Sequence, residues 1–477
     1  MSKPTLAKNT TYFTGALTVQ KILAFIYFWF ISNNLFPEQL GQYVFALSFT
    51  TLFSIFIDLG LAPILTREAA KNQNQANLYL QNILGLKLPL AFLTLIAVWI
   101  VINLTGKPPE TLVLVYLASI IMILDSFSLS FWVIFRARQN LKYESLATIL
   151  VQIIIFVLGT IALKTTGQIR YLVAGLLVAS VFNFCLSLGL LKFKLRFSLK
   201  PRLDRSVITH FIKIVPAFAL SGIFVKIYNT SDSVLLSYLG SDAAVAFYAV
   251  PAKVVFALQQ VIPAAFAAAM YPVFSHHFAT SKTLLAKSFT QSFTYLIIIS
   301  IPITAGLITI IPEATGLFWP SYRHTIPTFF VMTLALPFIF LAYPTGYLLN
   351  SADKQKMNTV NRGIVTVMAV VLNIILIPKF SFFGTGITFL VTNVILVLLD
   401  FYWVNQTITV DLGLLMNTLM KSILAALIMV VTILIVQPVF NIFVVVPFGM
   451  TVYFISLWLV KGFTRNDIKK MLNRNVS

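Results

Sequence analysis

Long, uninterrupted apolar segments constrain this chain more than any other feature of its sequence. About fourteen segments reach the length of a membrane-spanning helix, which needs about 20 predominantly apolar residues. They are residues 12–35, 40–66, 78–104, 110–135, 144–165, 170–191, 208–240, 243–275, 284–311, 325–350, 358–378, 384–406, 414–437 and 440–461. These segments are too long and continuous for the strands of a membrane β-barrel, which alternate over about ten residues. The sequence therefore predicts an all-α integral membrane protein.

The composition agrees with this prediction. Hydrophobic residues make up 59% of the chain and charged residues 10%, with a mean hydropathy of +0.92. A soluble protein would carry about 25% charged residues. The sequence contains no metal-ligand cluster, P-loop, nucleophile elbow or GxGxxG loop. We therefore expect no enzyme activity, no bound cofactor and no ATP-driven pumping by this chain itself.

The net charge of +20 is explained by where the basic residues fall. Most loop Lys and Arg residues lie on one side of the predicted membrane, and this bias marks the cytoplasmic side. It predicts a multi-pass protein of the plasma (inner) membrane with both termini in the cytoplasm. The charge also attracts anionic lipid headgroups, so we expect membrane lipids as partners and no nucleic acid.

An internal repetition predicts two lobes. Lys21 precedes Tyr43 by the same interval that separates Lys226 from Tyr248. The polar turn RARQNLKYES (136–145) is likewise echoed by NSADKQKMNT (350–359), and chance alignment is the alternative explanation. The predicted domains are a six-helix N-lobe (1–191), a basic cytoplasmic linker (192–207), a six-helix C-lobe (208–406), and two extra helices with a basic tail (407–477).

The stretch GIFVKIYNTSDSVLLSYLG (222–240) places polar side chains inside a predicted span. One helical face presents Lys226, Asn229, Thr230 and Ser233, because these residues follow helical spacing. Lys21 occupies the matching place in the first span. A charge at this depth costs at least about 2.5–3.5 kcal/mol, so it is normally retained for a purpose. Exposure to the pathway of an anionic substrate is one purpose, and a structural role is the alternative.

Other charges in the spans admit two interpretations each. Lys253 can face the same pathway or form a buried ion pair with Asp232. Asp125 can bind a coupling proton or Na⁺, or accept a hydrogen bond from a neighbouring helix. Asp58 and Arg67 lie near predicted cytoplasmic ends. The candidates for ion coupling or gating are therefore Asp232, Asp125, Asp58 and Arg67.

Four segments carry a family resemblance. They are DLGLAPILTREAAK (58–71), FRARQNLKYES (135–145), DSVLLSYLGSDAAVAFYAVPAKV (232–254) and LNIILIPKFSFFGTGI (372–387). Together, over nearly the whole chain, they resemble the polysaccharide and oligosaccharide flippase branch of the multidrug/oligosaccharidyl-lipid/polysaccharide exporter superfamily.

The resemblance implies a V-shaped transporter with a cationic cavity between two six-helix lobes. Its members flip undecaprenyl-pyrophosphate-linked oligosaccharides, such as O-antigen or exopolysaccharide repeat units, from the cytoplasmic to the outer leaflet by alternating access. Polysaccharide polymerase or glycosyltransferase machinery is then an expected partner. On this hypothesis Lys21, Lys226 and Lys253 hold the pyrophosphate, while Asn229, Thr230 and Ser233 contact phosphate or sugar.

Four alternatives stay open. A lipid II flippase of the same superfamily tends to line its cavity with arginines, whereas the deep spans here carry lysines. A drug/cation antiporter would need more deep carboxylates. A membrane-embedded glycan enzyme would need larger outer loops. A non-transporting scaffold in glycan assembly would share the same sequence features.

Overall fold

A computed structural model describes residues 6–462, except for the side chains of residues 6–11, 216–218, 264, 265, 267 and 268. Sixteen α-helices are found in this range: α1 (Leu6–Asn34), α2 (Pro37–Asp58), α3 (Leu61–Lys71), α4 (Ala76–Leu104), α5 (Pro109–Ala137), α6 (Lys142–Thr166), α7 (Ile169–Gly189), α8 (Arg205–Leu239), α9 (Asp242–Val261), α10 (Pro263–Thr280), α11 (Lys282–Phe318), α12 (Ile326–Leu334), α13 (Leu336–Ser351), α14 (Gln355–Asn405), α15 (Leu412–Val436) and α16 (Ile442–Leu459). A π-helical turn at Leu190–Lys194 and a 3₁₀ turn at Pro320–Thr325 complete the elements. The predicted basic tail beyond residue 462 lies outside the described residues.

The all-α membrane fold is confirmed. The described range contains 12 helices long and apolar enough to cross a membrane, or 13 if the bent α8 counts as one span. The predicted number of fourteen is therefore approximate. The difference lies in the 51-residue α14, which contains the two predicted spans 358–378 and 384–406.

Several predicted spans are broken where the backbone leaves helical geometry. The break within α14, at Ser381 (φ 51°, ψ −135°), instead lies between the predicted spans 358–378 and 384–406. The predicted span 40–66 is divided into α2 and α3 at Leu59 and Gly60, which both have left-handed backbone angles (φ 36° and 74°). The two parts of α8 meet at an angle of 57° between Val215 and Ala219. Hydropathy measures the length of an apolar run, so it does not report such breaks.

The chain forms two compact units. The first extends to Ala249 and includes Asn373–Phe382, and one of its buried clusters contains residues of α2 through α6 and of the start of α8. The segment before α8 is packed against α4, because the Arg202 amide donates to the Gln81 carbonyl at 3.1 Å. Asp204 caps α8 by accepting hydrogen bonds from the Ser206 hydroxyl and amide, which lower the pKa of this carboxyl group.

The second unit comprises Val250–Leu372 and residues 383–462. One of its buried clusters lies around Phe289, Phe293 and Phe401. Another packs α11 against α15 and α16, where the buried Tyr453 hydroxyl donates to the Ile298 carbonyl at 2.8 Å. The two extra predicted helices are therefore α15 and α16, and both pack on α11. The two-lobe division itself stays a prediction.

Candidate functional site

The polar part of α8 meets the last turns of α2 in the first unit. The two helices are antiparallel, since Tyr238 of α8 stacks edge-on against Phe45 while Lys226 contacts the opposite end of α2. There the Lys226 ammonium donates to Asp58 Oδ2 at 2.9 Å and to Ser54 Oγ at 2.8 Å. Two residues that the sequence placed on separate spans therefore form one ion pair.

A second lysine contacts the same carboxylate. Lys87 of α4 is fully buried, and its ammonium lies 2.9 Å from Asp58 Oδ1. It also donates to the carbonyl and the hydroxyl of Ser126 on α5, both at 2.8 Å. The Ser126 hydroxyl in turn donates to Asp58 Oδ1 at 2.7 Å. Four helices thus converge on a Lys–Asp–Lys cluster formed by Lys87, Asp58 and Lys226.

The Lys–Asp–Lys cluster carries a net positive charge, because two ammonium groups share one carboxylate. Its exposure is uneven: the Lys87 side chain is 0% exposed and the Lys226 side chain 31%. Charges inside a membrane protein are expensive and normally face a cavity or a partner. The cluster can therefore hold an anion at Lys226 while Lys87 remains a fixed structural charge.

The other residues of the predicted polar face differ in exposure. Asn229 is exposed, whereas Thr230 and Ser233 are buried. The Thr230 hydroxyl donates to the Lys226 carbonyl within the same helix at 2.7 Å. Lys21 lies half-buried on α1, and Lys253 lies half-buried on α9 in the second unit. The proposed contacts of these residues with substrate stay predictions.

Asp232 lies in a separate polar contact of the first unit. Its carboxylate accepts hydrogen bonds from the Tyr248 hydroxyl and from Asn373 Nδ2, each at 2.6 Å. These contacts tie α8 to α9 and to the segment of α14 that belongs to this unit. They satisfy both oxygens of the carboxylate. The predicted ion pair of Asp232 with Lys253 stays a prediction.

Asp125 and Arg67 occupy different surroundings. Asp125 accepts a hydrogen bond from Ser180 of α7 at 2.9 Å, which is the helix-to-helix alternative stated for it above. Arg67 is 47% exposed and lies 3.7 Å from Glu68. The Glu68 carboxylate also contacts His210 at 3.3 Å, joining α3 to α8.

Sequence comparison identifies the family. The model of the family described as Polysaccharide biosynthesis protein matches residues 6–278, which is more than half of the chain. The chain belongs to this polysaccharide biosynthesis protein family. The resemblance found in its sequence is thereby confirmed. No curated protein sequence matches this family member significantly.

Solved structures share the fold of this polysaccharide biosynthesis protein. A structure of the lipid II flippase MurJ in an inward closed conformation matches with a TM-score of 0.77 and 17% identity over 94% of this chain and 98% of that one. An inward-facing multidrug resistance MATE family transporter of the MOP superfamily matches with a TM-score of 0.67 and 16% identity over 82% and 94%. A MOP superfamily transporter from Pyrococcus furiosus, described as having a binding pocket of reverse polarity, gives a TM-score of 0.59 and 16% identity over 84% and 95%.

Several residues of the site were not predicted. Lys87 was given no role from the sequence alone. Ser54 and Ser126 carried no signal, because serine is common in membrane helices as a donor to its own backbone. Asn373 and Tyr248 were likewise not assigned to Asp232. Lys87 and Asp58 lie at similar depths, counted from the predicted cytoplasmic ends of spans 78–104 and 40–66, so matching depth was the signal that could have paired them.

Proposed function

We propose that this protein flips undecaprenyl-pyrophosphate-linked oligosaccharides from the cytoplasmic to the outer leaflet. The observation that carries the proposal is the net positive Lys–Asp–Lys cluster within membrane-spanning helices. Membership of a polysaccharide biosynthesis family and a fold shared with flippases and exporters support it.

The chemistry of the substrate explains why such a cluster is needed. A lipid-linked pyrophosphate must carry two negative charges past a hydrocarbon core about 30 Å thick. Transfer of unpaired ions into hydrocarbon costs tens of kcal/mol. A lysine ammonium is a compact charge that suits phosphate oxygens, and Lys226 is the partly exposed ammonium of the cluster. The polyprenyl tail can meanwhile stay in lipid.

The remaining assignments follow from the same proposal. Two lobes, 1–191 and 208–406, alternate access across a membrane in which the basic loops face the cytoplasm. Further substrate contacts come from Lys21, Lys253, Asn229, Thr230 and Ser233. Proton or Na⁺ coupling would use Asp232 or Asp125, with Asp58 and Arg67 in gating. Glycan polymerase or glycosyltransferase machinery supplies or receives the substrate.

A flipping assay tests the proposed function. The full chain is reconstituted in liposomes with a fluorescent undecaprenyl-pyrophosphate oligosaccharide, and an impermeant quencher is added outside. Without protein, we expect the quencher to reach only the labelled lipid in the outer leaflet. With protein, we expect labelled lipid from the inner leaflet to be quenched as well. A neutral lipid that carries the same oligosaccharide is the matched control, and we expect it not to flip. Equal flipping of both lipids, or of neither, would contradict a pathway built for pyrophosphate.

Lipid II is a second candidate substrate, because the MurJ structure matches over 94% of this chain. Both lipids contain the same pyrophosphate, so the cluster does not distinguish them. The assay distinguishes them when the two lipids compete. Faster flipping of lipid II than of the oligosaccharide lipid would favour the second candidate.

A further inference from the structure

The two oxygens of the Asp58 carboxylate have different partners. Oδ1 accepts from the buried Lys87 ammonium and from the Ser126 hydroxyl, at 2.9 and 2.7 Å. Oδ2 accepts from Lys226 at 2.9 Å. One oxygen is therefore held by buried groups, and the other is held by the partly exposed Lys226.

The two lysines also differ in whether an anion can replace one of their hydrogen-bond acceptors. An ammonium group has three donors. Lys87 uses them on Asp58 Oδ1, the Ser126 carbonyl and the Ser126 hydroxyl, and its side chain is 0% exposed. Lys226 donates to Ser54 and Asp58, and its side chain is 31% exposed. An incoming anion can reach Lys226 but not Lys87.

We infer that Asp58 is a built-in competitor of the substrate, whose phosphoryl oxygen replaces Asp58 Oδ2 on Lys226. This inference rests on the proposed function, since it needs an oxyanion as ligand. The exchange leaves no carboxylate unpaired, because Asp58 keeps Lys87 and Ser126. Lys226 exchanges one anion for another. The large penalty for a buried charge that loses its partner is therefore avoided.

The exchange lowers the affinity of the protein for its substrate and links this affinity to the contact between α2 and α8. The apparent dissociation constant rises as the fraction of molecules with an available Lys226 falls. A flippase gains from this limit, because it must release its substrate in the opposite leaflet. Binding also breaks the ion pair between α2 and α8, so the contact of these helices depends on the ligand.

Binding measurements on the purified full chain test the exchange. The probe is farnesyl pyrophosphate in detergent micelles, with farnesol as the control without phosphate. Asp58→Asn keeps the size of the side chain and removes the competing charge. We expect it to lower the dissociation constant of the probe about tenfold, if the pair is closed in about nine molecules of ten.

A matched carboxylate provides the control variant. Asp242 forms a 2.9 Å ion pair with Lys107 in the same unit, and both side chains are largely buried. We expect Asp242→Asn to bind the probe like the wild type. If Asp58→Asn does not fold, Ser126→Ala replaces it, since this change keeps every charge and removes a donor that holds Asp58 once Lys226 has left it. We expect Ser126→Ala to bind the probe about threefold more weakly.

The outcomes separate the exchange from the proposed function. Tighter binding by Asp58→Asn, or weaker binding by Ser126→Ala, with Asp242→Asn unchanged, supports the exchange. If the wild type binds the probe and neither change at the cluster shifts its dissociation constant in the expected direction, the exchange alone is overturned. If the wild type and all variants fail to bind farnesyl pyrophosphate, the proposed substrate chemistry is wrong and the exchange is wrong with it.

Discussion

Lys87 and Lys226 contact one carboxylate from opposite sides, but they have different energetic roles. Removal of one partner from a buried ion pair leaves the other charge uncompensated, which costs about 3–5 kcal/mol. Exposed pairs contribute about 0–1 kcal/mol. Since Lys87 is 0% exposed and Lys226 31% exposed, the two positions should differ in their effect on stability.

We predict that Lys87→Met lowers the stability of the protein more than Lys226→Met does. The loss at Lys87 approaches about 3–5 kcal/mol, because the partly exposed Lys226 is then the one charged partner that Asp58 keeps in the cluster. Thermal unfolding of both variants in detergent, monitored by size-exclusion chromatography, measures the difference in their stability. The double variant Lys87→Met/Asp58→Asn is the control and should recover part of the loss. Equal destabilisation by the two single changes would contradict the prediction.

The sequence predicted the individual charges better than their partners. Lys226 was singled out because a charge in a span is expensive, and Asp58 was a candidate for ion coupling or gating near a predicted cytoplasmic end. Their contact joins positions 168 residues apart, and a single sequence does not show which helix faces pack together. The Asp232 site shows the same limit, since Asn373 is 141 residues away.

The contact between α2 and α8 depends on a close approach at its other end. A Cβ atom added to Gly41 would lie 1.6 Å from the Asp242 carbonyl oxygen, at the beginning of α9. No backbone oxygen can be accommodated at that distance, so only glycine lets α2 reach this position. The Phe45–Tyr238 ring contact lies one turn further along α2.

We therefore predict that Gly41→Ala destabilises the protein by about 1–3 kcal/mol, the usual cost of overpacking. Gly15→Ala is the matched control, because a Cβ atom at Gly15 meets nothing within 4 Å. Thermal unfolding in detergent compares the two variants. A Gly41→Ala protein as stable as the Gly15→Ala protein would show that α2 and α9 do not approach so closely.

The two repeated polar turns, 136–145 and 350–359, contain side-chain contacts at equivalent positions. In the first turn the Arg136 guanidinium binds Glu144, eight residues away, with a Nε–Oε2 distance of 2.9 Å. In the second turn Asn358 donates to Asn350 across the same separation of eight residues, at 3.0 Å. Both contacts connect the end of one helix to the start of the next. They support the internal repeat, from which the two lobes are inferred.

Helices were predicted more accurately than their breaks. Apolar runs of about 20 residues fix where a membrane helix must lie, because backbone groups in lipid have to be hydrogen-bonded internally. The break at Leu59–Gly60 depends on local backbone geometry, and the surrounding apolar residues conceal it. The predicted span 243–275 is likewise divided into α9 and α10.

The distribution of basic residues predicts which turns of the whole molecule face the cytoplasm and which face the outside. Residue 74 lies in the exposed turn before α4, on the predicted cytoplasmic side, and residue 168 lies in the exposed turn between α6 and α7. Starting from a Cys185→Ser protein, Asn74→Cys should react with an impermeant maleimide only after the membrane is opened. Gln168→Cys should react in intact cells. The opposite labelling pattern would reverse the predicted orientation.

The fold of the whole molecule was predictable although identity to the solved structures is low. The MurJ structure has 17% identity to this chain and a TM-score of 0.77. Hydrophobic segments and their order survive such divergence, because lipid imposes them on any sequence. The substrate is not imposed in this way. In the proposed function it depends on a few side chains such as Lys226, whose partners only the folded chain reveals.

The flipping rate of Lys226→Ala tests the proposed substrate site most directly. The measurement compares the wild type, Lys226→Ala and Lys164→Ala in proteoliposomes with a fluorescent undecaprenyl-pyrophosphate oligosaccharide. Lys164→Ala removes an exposed lysine from the last turn of α6 and controls for net charge. Loss of a hydrogen bond to a charged group costs about 1.5–3 kcal/mol, so we predict a reduction of about tenfold or more for Lys226→Ala alone. Wild-type flipping by Lys226→Ala would contradict the assignment of Lys226 to the pyrophosphate.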